Sequence, residues 1–160
     1  MPCTPQSFVR YTAHEPITIP LMKQADEITY SQTRDIPCKG VVRLYRENNW
    51  SSAQKPDELY AALIDSHALV SAWQGDTLVG IGNAISDGHL VVYYPHLLVL
   101  PSLQGRGIGQ AIMQHLMQKY KSFHQQMLVA DGAAVRFYEK CGFVRAGETI
   151  AMWIYDGDDH

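Results

Sequence analysis

The stretch that decides the fold reads Leu97-Leu98-Val99-Leu100-Pro101-Ser102-Leu103-Gln104-Gly105-Arg106-Gly107-Ile108-Gly109. An apolar strand breaks at Pro101 and passes through alternating glycines into a helix, whose apolar stripe repeats every fourth residue from Ile108 to Tyr120. Such a turn leaves several backbone N–H groups unpaired at the positive end of the helix dipole. We therefore predict a phosphate-binding turn. A plain strand-to-helix turn is the alternative, and it explains one glycine better than three.

Two common phosphate loops do not fit this stretch. The dinucleotide fingerprint needs a glycine at its sixth position, where Gln110 stands, and no βαβ unit with an acidic residue follows. The Lys-Ser/Thr pair of nucleoside triphosphate loops is also missing. The sequence therefore predicts a pyrophosphate site on a mixed, largely antiparallel sheet.

The flanking sequence predicts two helices, then an antiparallel meander of three strands, then two further helices among short strands. In chain order the expected elements are a strand at 28–31, helices at 41–48 and from Pro56, strands at 68–73, 78–86 and 89–100, a helix from Ile108 to Tyr120, a strand at 127–130, a helix at 134–141 and strands at 143–144 and 149–155. Turns at 74–77 and at Asp87-Gly88 separate the meander strands.

Composition limits the class of protein. The 160 residues suit one domain, which we expect at 27–160 after an irregular, proline-containing arm at 1–26. A formal charge of −3 without charge blocks argues against nucleic acid as a partner, and no apolar run is long enough to span a membrane. Three scattered cysteines and the lack of a signal peptide favour a cytoplasmic protein with reduced thiols. The histidines show no metal-ligand spacing, so we expect no metal site.

Two motifs together resemble the GNAT superfamily of coenzyme A-dependent N-acyltransferases. Gln104-x-x-Gly107-x-Gly109 is similar to that family's pyrophosphate loop, and residues 134–143, Ala-Val-Arg-Phe-Tyr-Glu-Lys-Cys-Gly-Phe, resemble its later motif. The resemblance covers about residues 28–155. It implies an α/β (α+β) fold in which helices flank a mixed, mostly antiparallel central sheet that is splayed at the cofactor site.

The resemblance also implies acetyl-CoA as the cofactor. Backbone amides of the glycine turn would wrap its pyrophosphate, and main-chain groups of the preceding strand would hold its pantetheine arm. The expected cofactor-binding residues are Leu98, Val99, Leu100, Gln104, Gly105, Arg106, Gly107, Ile108, Gly109 and Asp131. Asp131 stands where the family commonly has asparagine and cannot donate a hydrogen bond as an amide does, which puts that contact in question. Arg106 is equally compatible with a solvated side chain.

Two side chains are candidate catalytic residues. Tyr138 matches the motif tyrosine, and its ordinary pKa near 10 keeps its hydroxyl protonated as a general acid for the departing thiolate; a core tyrosine is the alternative. The central strand has no carboxylate to serve as general base, so His96, with an ordinary pKa near 6.5, is the candidate. The alternative interpretation is that His96 has a structural role.

The leading hypothesis is an enzyme that transfers acetyl from acetyl-CoA to a primary amine by direct attack in a ternary complex. The alternative is a catalytically silent acyl-CoA-binding sensor or regulatory module. The acceptor is a small-molecule or peptide amine whose identity the sequence does not indicate. A homodimer is suggested by the resemblance alone. Scattered aromatic residues line either an acceptor pocket or the core: Trp50, Trp73, Tyr93, Tyr94 and Trp153. Cys141 is interpreted as a structural thiol and Asp87 as a turn residue.

Overall fold

The computed structural model describes residues 27–158, which form one six-stranded sheet with helices on both faces. The arm at 1–26 lies outside the described residues. The elements are β1 (Ile28–Ser31), α1 (Cys38–Glu47), α2 (Pro56–Ile64), β2 (Ala68–Gln74), β3 (Thr77–Ser86), β4 (Val91–Tyr93), β5 (Leu97–Val99), α3 (Ile108–Lys119), β6 (Gln125–Met127) and α4 (Val135–Lys140). Short 3-10 turns lie at Ser51–Gln54, Pro101–Leu103 and Gly132–Ala134.

The sheet is mostly antiparallel, as the sequence predicts. Strands β1, β2, β3 and β4 follow one another as antiparallel neighbours, β5 also pairs antiparallel with β3, and β6 joins β4 in parallel. The hairpin turn between β2 and β3 is shorter than expected, because the strands continue to Gln74 and resume at Thr77. Gly75 supplies the positive φ, +57°, that this two-residue turn requires.

The predicted single strand at 89–100 is wrong, because a β-bulge divides it into β4 and β5. Ile85 of β3 pairs with Tyr93, and Gly82 pairs with Leu97. Three residue steps along β3 therefore lie opposite four steps along the segment from β4 to β5. The extra residue lies at Tyr94–His96, where Pro95 has no N–H to give to a ladder. Tyr94 donates to Met127 O at 3.0 Å in the last backbone bond toward β6, and the two chains then separate.

Helix α3 packs on β3 through glycines. A Cβ on Gly82 would lie 2.7 Å from Ile112 Cγ2, and one on Gly80 would lie 3.0 Å from Ile112 Cδ1. Because Ile112 is fully buried at this contact, a larger side chain on either strand position would displace the helix. The close approach fixes the first turn of α3 beside the end of β5.

The last two predicted strands, 143–144 and 149–155, are also wrong, and the predicted strand at 127–130 lies earlier, at Gln125–Met127. Residues 149–155 are almost all apolar but have no ladder partner in the described chain, and apolar composition alone does not form a strand. Side-chain bonds hold the C-terminal segment against the 3-10 turn at Ser51–Gln54 instead: Tyr155 Oη lies 3.0 Å from Ser51 Oγ, and Lys55 Nζ lies 3.1 Å from Asp156 Oδ2.

Candidate active site

The glycine turn has the geometry of an anion cradle. Gly105 and Gly107 have φ values of +78° and +82°, and Gly107 is the left-handed N-cap of α3. The first backbone bond of the helix runs from Ala111 N to Gly107 O. Within residues 27–158, none of the backbone N–H groups of residues 105–110 has a hydrogen-bond partner. These N–H groups, together with the helix dipole, provide a site for a phosphate group.

Gln104 anchors this turn with its side chain. Its Nε2 donates to Val99 O at 3.1 Å and to Asn48 Oδ1 at 3.2 Å, and Asn48 Nδ2 donates to Leu44 O at 2.9 Å. The side chain of the motif glutamine is therefore used to tie the turn to β5 and to the end of α1. Its backbone N–H donates to Pro101 O at 3.4 Å, so the unpaired N–H groups of the turn begin at Gly105. Arg106 is exposed, and its guanidinium makes no hydrogen bond within the described part of the chain.

Hydrogen-bond alternation decides which residues of β5 present backbone groups to the open edge of the sheet. His96 O accepts from Asn83 N, and Leu100 N donates to Val79 O, so the even-numbered residues bond to β3. Leu97 and Val99 therefore direct their N–H groups to the side where β6 has diverged. Among Leu98, Val99 and Leu100, which are expected to bind the cofactor, this favours Val99, because the backbones of Leu98 and Leu100 are used in pairing with β3.

Tyr138 reaches the same site through α4. Phe137 packs on the first turn of α3, where a Cβ on Gly109 would lie 3.3 Å from the phenyl ring. Gly142 ends the helix with a φ of +99°, and Phe143 N bonds back to Tyr138 O at 3.1 Å. Phe137 and Phe143 both meet the Tyr138 ring edge-on. The hydroxyl is left without a hydrogen-bond partner among the described residues, and it is not sealed from solvent.

The Tyr138 hydroxyl is a donor whose proton is tightly held. Burial, followed by the neighbouring Cys141 and Tyr93, raises the pKa of Tyr138 to about 12. A phenol of that pKa is a weaker acid than a thiol of pKa about 8.5, so complete proton transfer to a thiolate is uphill by roughly 5 kcal/mol. The arrangement suits stabilisation of a developing thiolate by a hydrogen bond from Tyr138. The phenol proton can then pass to sulfur at the same time as a proton from the reacting nitrogen replaces it on the phenol oxygen.

His96 lines the same cleft and is tied to the core by a hydrogen bond with a tyrosine. Tyr45 Oη lies 2.7 Å from His96 Nδ1, and Trp50 meets both rings edge-on. The bulge explains this orientation. Tyr94 packs toward α3 against Tyr120, whereas His96, two residues later, packs toward α1. Burial lowers the pKa of His96 to about 4, so the imidazole is neutral at neutral pH.

A cleft of about 790 Å³ opens where β5 and the segment after β6 separate. His96 and Leu97 from β5 and its bulge line it together with Asp131 and Tyr138. Asp131 Oδ1 accepts from Gly132 N at 2.7 Å, which leaves the second carboxylate oxygen for a ligand. Three of the five aromatic candidates, Trp50, Tyr93 and Trp153, also line this cleft, whereas Trp73 and Tyr94 pack against the core.

Two other predicted roles can be compared with the structure. Asp87 is a turn residue, as predicted: its Oδ1 accepts from the N–H groups of His89, Leu90 and Val91, and these bonds lower the pKa of its carboxyl. Cys141 follows α4, and burial raises the pKa of its thiol, which disfavours the nucleophilic thiolate. In the described residues no group of three or more His, Cys, Asp or Glu is arranged to hold a metal ion.

Sequence reasoning missed three contributors to the site. Tyr45 and Asn48 lie on α1, some fifty residues before their partners His96 and Gln104, and helical spacing marks both only as helix positions. Leu97 was overlooked because its exposure to the open edge depends on the bulge. Pro95 is the signal that could have revealed the bulge, since proline interrupts a segment that is otherwise largely apolar.

Comparison with known proteins agrees with this geometry and defines a class, the coenzyme A-dependent acyltransferases. A family model described as an acetyltransferase (GNAT) domain matches residues 24–152. A GNAT-family acetyltransferase of Streptococcus pneumoniae is 29% identical, with a TM-score of 0.71 over 81% of this chain and 99% of its own. An uncharacterised N-acetyltransferase of Prochlorococcus marinus is 25% identical over 78% of this chain and 73% of its own length.

The chain therefore belongs to the GNAT acetyltransferase family. Its fold also matches an aminoglycoside N-acetyltransferase solved in complex with CoA, with a TM-score of 0.61, over 81% of this chain and 93% of that one. At 14% identity, that likeness concerns the fold alone. The class of reaction is acyl transfer from coenzyme A. Across residues 27–158, no helix is both long and apolar enough to cross a membrane.

Proposed function

We propose that this protein is an N-acetyltransferase that moves acetyl from acetyl-CoA to a primary amine by direct attack in a ternary complex. The observation that carries the proposal is the unpaired backbone cradle at residues 105–110, which packs through Gly109 against Phe137 of α4, the helix that brings Tyr138 into the cleft. In this arrangement the pyrophosphate binds the N–H groups of residues 105–110, and the pantetheine arm runs along Val99 toward Asp131.

The chemistry then needs one bond formed and one broken. The neutral amine attacks the thioester carbonyl carbon, the C–S bond breaks, and the proton lost by nitrogen ends on sulfur. Tyr138 donates a hydrogen bond to the departing sulfur. As the phenol proton moves to sulfur, the ammonium group of the tetrahedral intermediate gives its proton to the phenol oxygen, so Tyr138 ends the reaction neutral. His96, which lines the same cleft, contacts the reacting groups. The acceptor enters between Trp50 and the C-terminal segment, where aromatic rings offer an apolar surface.

The decisive experiment measures coenzyme A binding by calorimetry and thiol release with a panel of primary amines. We expect Tyr138→Phe to lower kcat by at least roughly tenfold and to leave the Kd for coenzyme A unchanged within about twofold. Tyr94→Phe is the matched control, since it also removes a tyrosine hydroxyl. That hydroxyl donates to Gln126 Oε1 at 2.6 Å and does not line the cleft. Full turnover by Tyr138→Phe would remove its role. Binding without turnover on any amine would favour the acyl-CoA sensor, and a folded protein that does not bind coenzyme A would exclude both functions.

A further inference from the structure

We infer that Tyr45 is a positioning residue that holds His96 as the Nε2–H tautomer, so that His96 presents a hydrogen-bond donor, rather than a basic lone pair, to the acyl carbonyl oxygen. This inference rests on the proposed function for the identity of the oxygen, but the tautomer itself is a property of the free protein. It reassigns the role that the sequence suggests for His96 as a general base.

The first step is the direction of the Tyr45–His96 bond. Tyr45 is fully buried, and His96 Nδ1 is the only hydrogen-bond partner of its hydroxyl within residues 27–158. If Tyr45 donates, both atoms are satisfied. If Nδ1–H donated instead, the Tyr45 proton would be left unpaired in the core, which disfavours that tautomer by roughly one to two orders of magnitude. Burial also raises the pKa of the Tyr45 hydroxyl, so it keeps its proton.

The second step is the position of the other ring nitrogen. With Nδ1 directed to the core, Nε2 lies on the far side of the imidazole, and His96 lines the cleft. Nε2 has no hydrogen-bond partner in the described chain and is not sealed from solvent. Trp50 packs edge-on against both the His96 and Tyr45 rings, which restricts rotation of the imidazole. A neutral imidazole in this tautomer can donate through Nε2 but has no lone pair there to take a proton from an amine.

The third step is the atom that needs such a donor. Negative charge develops on the acyl carbonyl oxygen as the amine attacks, and fixed donors aimed at that oxygen lower the barrier. The Val99 N–H, three residues further along the chain, points away from β3 and is unpaired within residues 27–158. A backbone donor and a side-chain donor would then share the oxygen. The neutral imidazole donates through Nε2 and needs no change of protonation state during the reaction.

The tautomer is measured on the wild-type protein by long-range ¹H–¹⁵N correlation of the histidine rings. The His96 signals are assigned by their loss in His96→Gln. We expect a protonated-type shift for Nε2 and an unprotonated-type shift for Nδ1 at pH 7.5. A protonated Nδ1 would overturn the inference whether or not the protein acetylates any amine. Conversely, failure to find turnover would count against the proposed function and leave the tautomer measurement intact.

The donor role is tested by two substitutions that differ in one property. Gln keeps an N–H donor at about the place of Nε2 but cannot act as a base, and Ala keeps neither. We expect His96→Ala to lower kcat by roughly 100-fold with little change in the KM for acetyl-CoA, and His96→Gln to retain activity within about tenfold of wild type. Equal loss in both variants would support a base and contradict a donor.

The positioning role of Tyr45 has a matched control in the same chain. His67 Nδ1 and Tyr120 Oη make a second histidine–tyrosine bond, also 2.7 Å long, with an equally buried tyrosine, and neither residue lines the cleft. We expect Tyr45→Phe to move the His96 Nδ1 signal and to lower kcat by roughly three- to tenfold at nearly constant KM. Tyr120→Phe should move only the His67 signals and leave kcat unchanged. The same kinetic loss in both variants would reduce Tyr45 to a structural role.

Discussion

At the scale of single residues, His96 couples the site to protein stability. Burial lowers the pKa of His96 to about 4, whereas an unfolded histidine has a pKa near 6.5. Between these values the unfolded chain binds a proton that the folded chain does not, so stability falls as pH decreases. We expect the free energy of unfolding to drop by about 3 kcal/mol more in wild type than in His96→Gln between pH 7.5 and pH 4. Urea denaturation at several pH values measures the difference, and parallel curves would show that His96 titrates normally.

Asp131 is the residue at which this chain departs from its family's motif, and we expect its carboxylate to weaken coenzyme A binding. Asn at this position would keep the acceptor for Gly132 N and add an N–H donor for the pantetheine arm. One such hydrogen bond contributes about 0.5 to 1.5 kcal/mol, so Asp131→Asn should lower the Kd for coenzyme A by roughly two- to tenfold.

Calorimetric measurement of the Kd for coenzyme A in Asp131→Asn and in Asp156→Asn distinguishes a hydrogen bond at residue 131 from a general effect of removing negative charge. The second variant removes an equal charge from the C-terminal wall of the cleft, where Asp156 pairs with Lys55. If both tighten binding equally, reduced repulsion of the polyanion explains the effect, and a contact at Asp131 is excluded.

For single residues, the sequence predicts conformations and contacts that depend on neighbouring residues, but it does not predict side-chain pairs that are distant in sequence. The left-handed glycines and the turn role of Asp87 follow from rules that involve only neighbouring residues. The Tyr45–His96 bond joins residues 51 positions apart, and its donor direction depends on what else lies in the core. No spacing rule within a strand or a helix can report such a contact.

At the scale of elements, the contact between α3 and β3 sets where the anion cradle lies, and Gly82 controls it. A Cβ at Gly82 would lie 2.7 Å from Ile112 Cγ2 and 3.2 Å from Leu116 Cδ1, inside a packed core. Overpacking of this kind costs about 1 to 3 kcal/mol, so we expect Gly82→Ala to lower the free energy of unfolding by that amount. Coenzyme A affinity should fall with it, because the first turn of α3 moves.

Gly40→Ala is the control for that prediction. Gly40 lies in α1, and a Cβ there would meet Leu78 at an ordinary contact distance of 3.6 Å. Alanine favours helix over glycine by up to about 1 kcal/mol, so this variant should be as stable as wild type or more stable. Denaturant titration compares the two, and a Gly82→Ala protein of wild-type stability would show that α3 adjusts freely.

Elements with strong internal patterning were predictable, and those defined by their neighbours were not. β1 lies where its four residues predict, and α2 begins at Pro56. The strand at 89–100 was continuous in apolar character, but its division at the bulge depends on register with β3 and on Pro95. Residues 149–155 have the apolar and aromatic composition of a strand, yet a strand also requires an adjacent strand edge to pair with, which the segment's own sequence does not report.

At the scale of the whole molecule, net charge and ligand charge are independent. A formal charge of −3 argues against a broad surface for polyanions, yet the cradle at residues 105–110 offers backbone N–H groups that do not enter the charge count. Most of the binding energy for the pyrophosphate should therefore come from oriented dipoles. We expect coenzyme A affinity to depend only weakly on salt, apart from the part contributed by Arg106.

Ligand binding should also stabilise the folded chain as a unit, because the cradle joins β5, α3 and, through Gly109 and Phe137, α4. At a ligand concentration 100 times its Kd, mass action adds about 2.7 kcal/mol to the free energy of unfolding. For a chain of this length that corresponds to a rise in Tm of roughly 5 to 10 °C. Thermal unfolding with coenzyme A measures the rise, and adenosine, which lacks the pyrophosphate, is the control ligand at the same molar concentration. Equal stabilisation by both would locate the binding energy in the base and not in the glycine turn, because only coenzyme A can engage the unpaired N–H groups of residues 105–110.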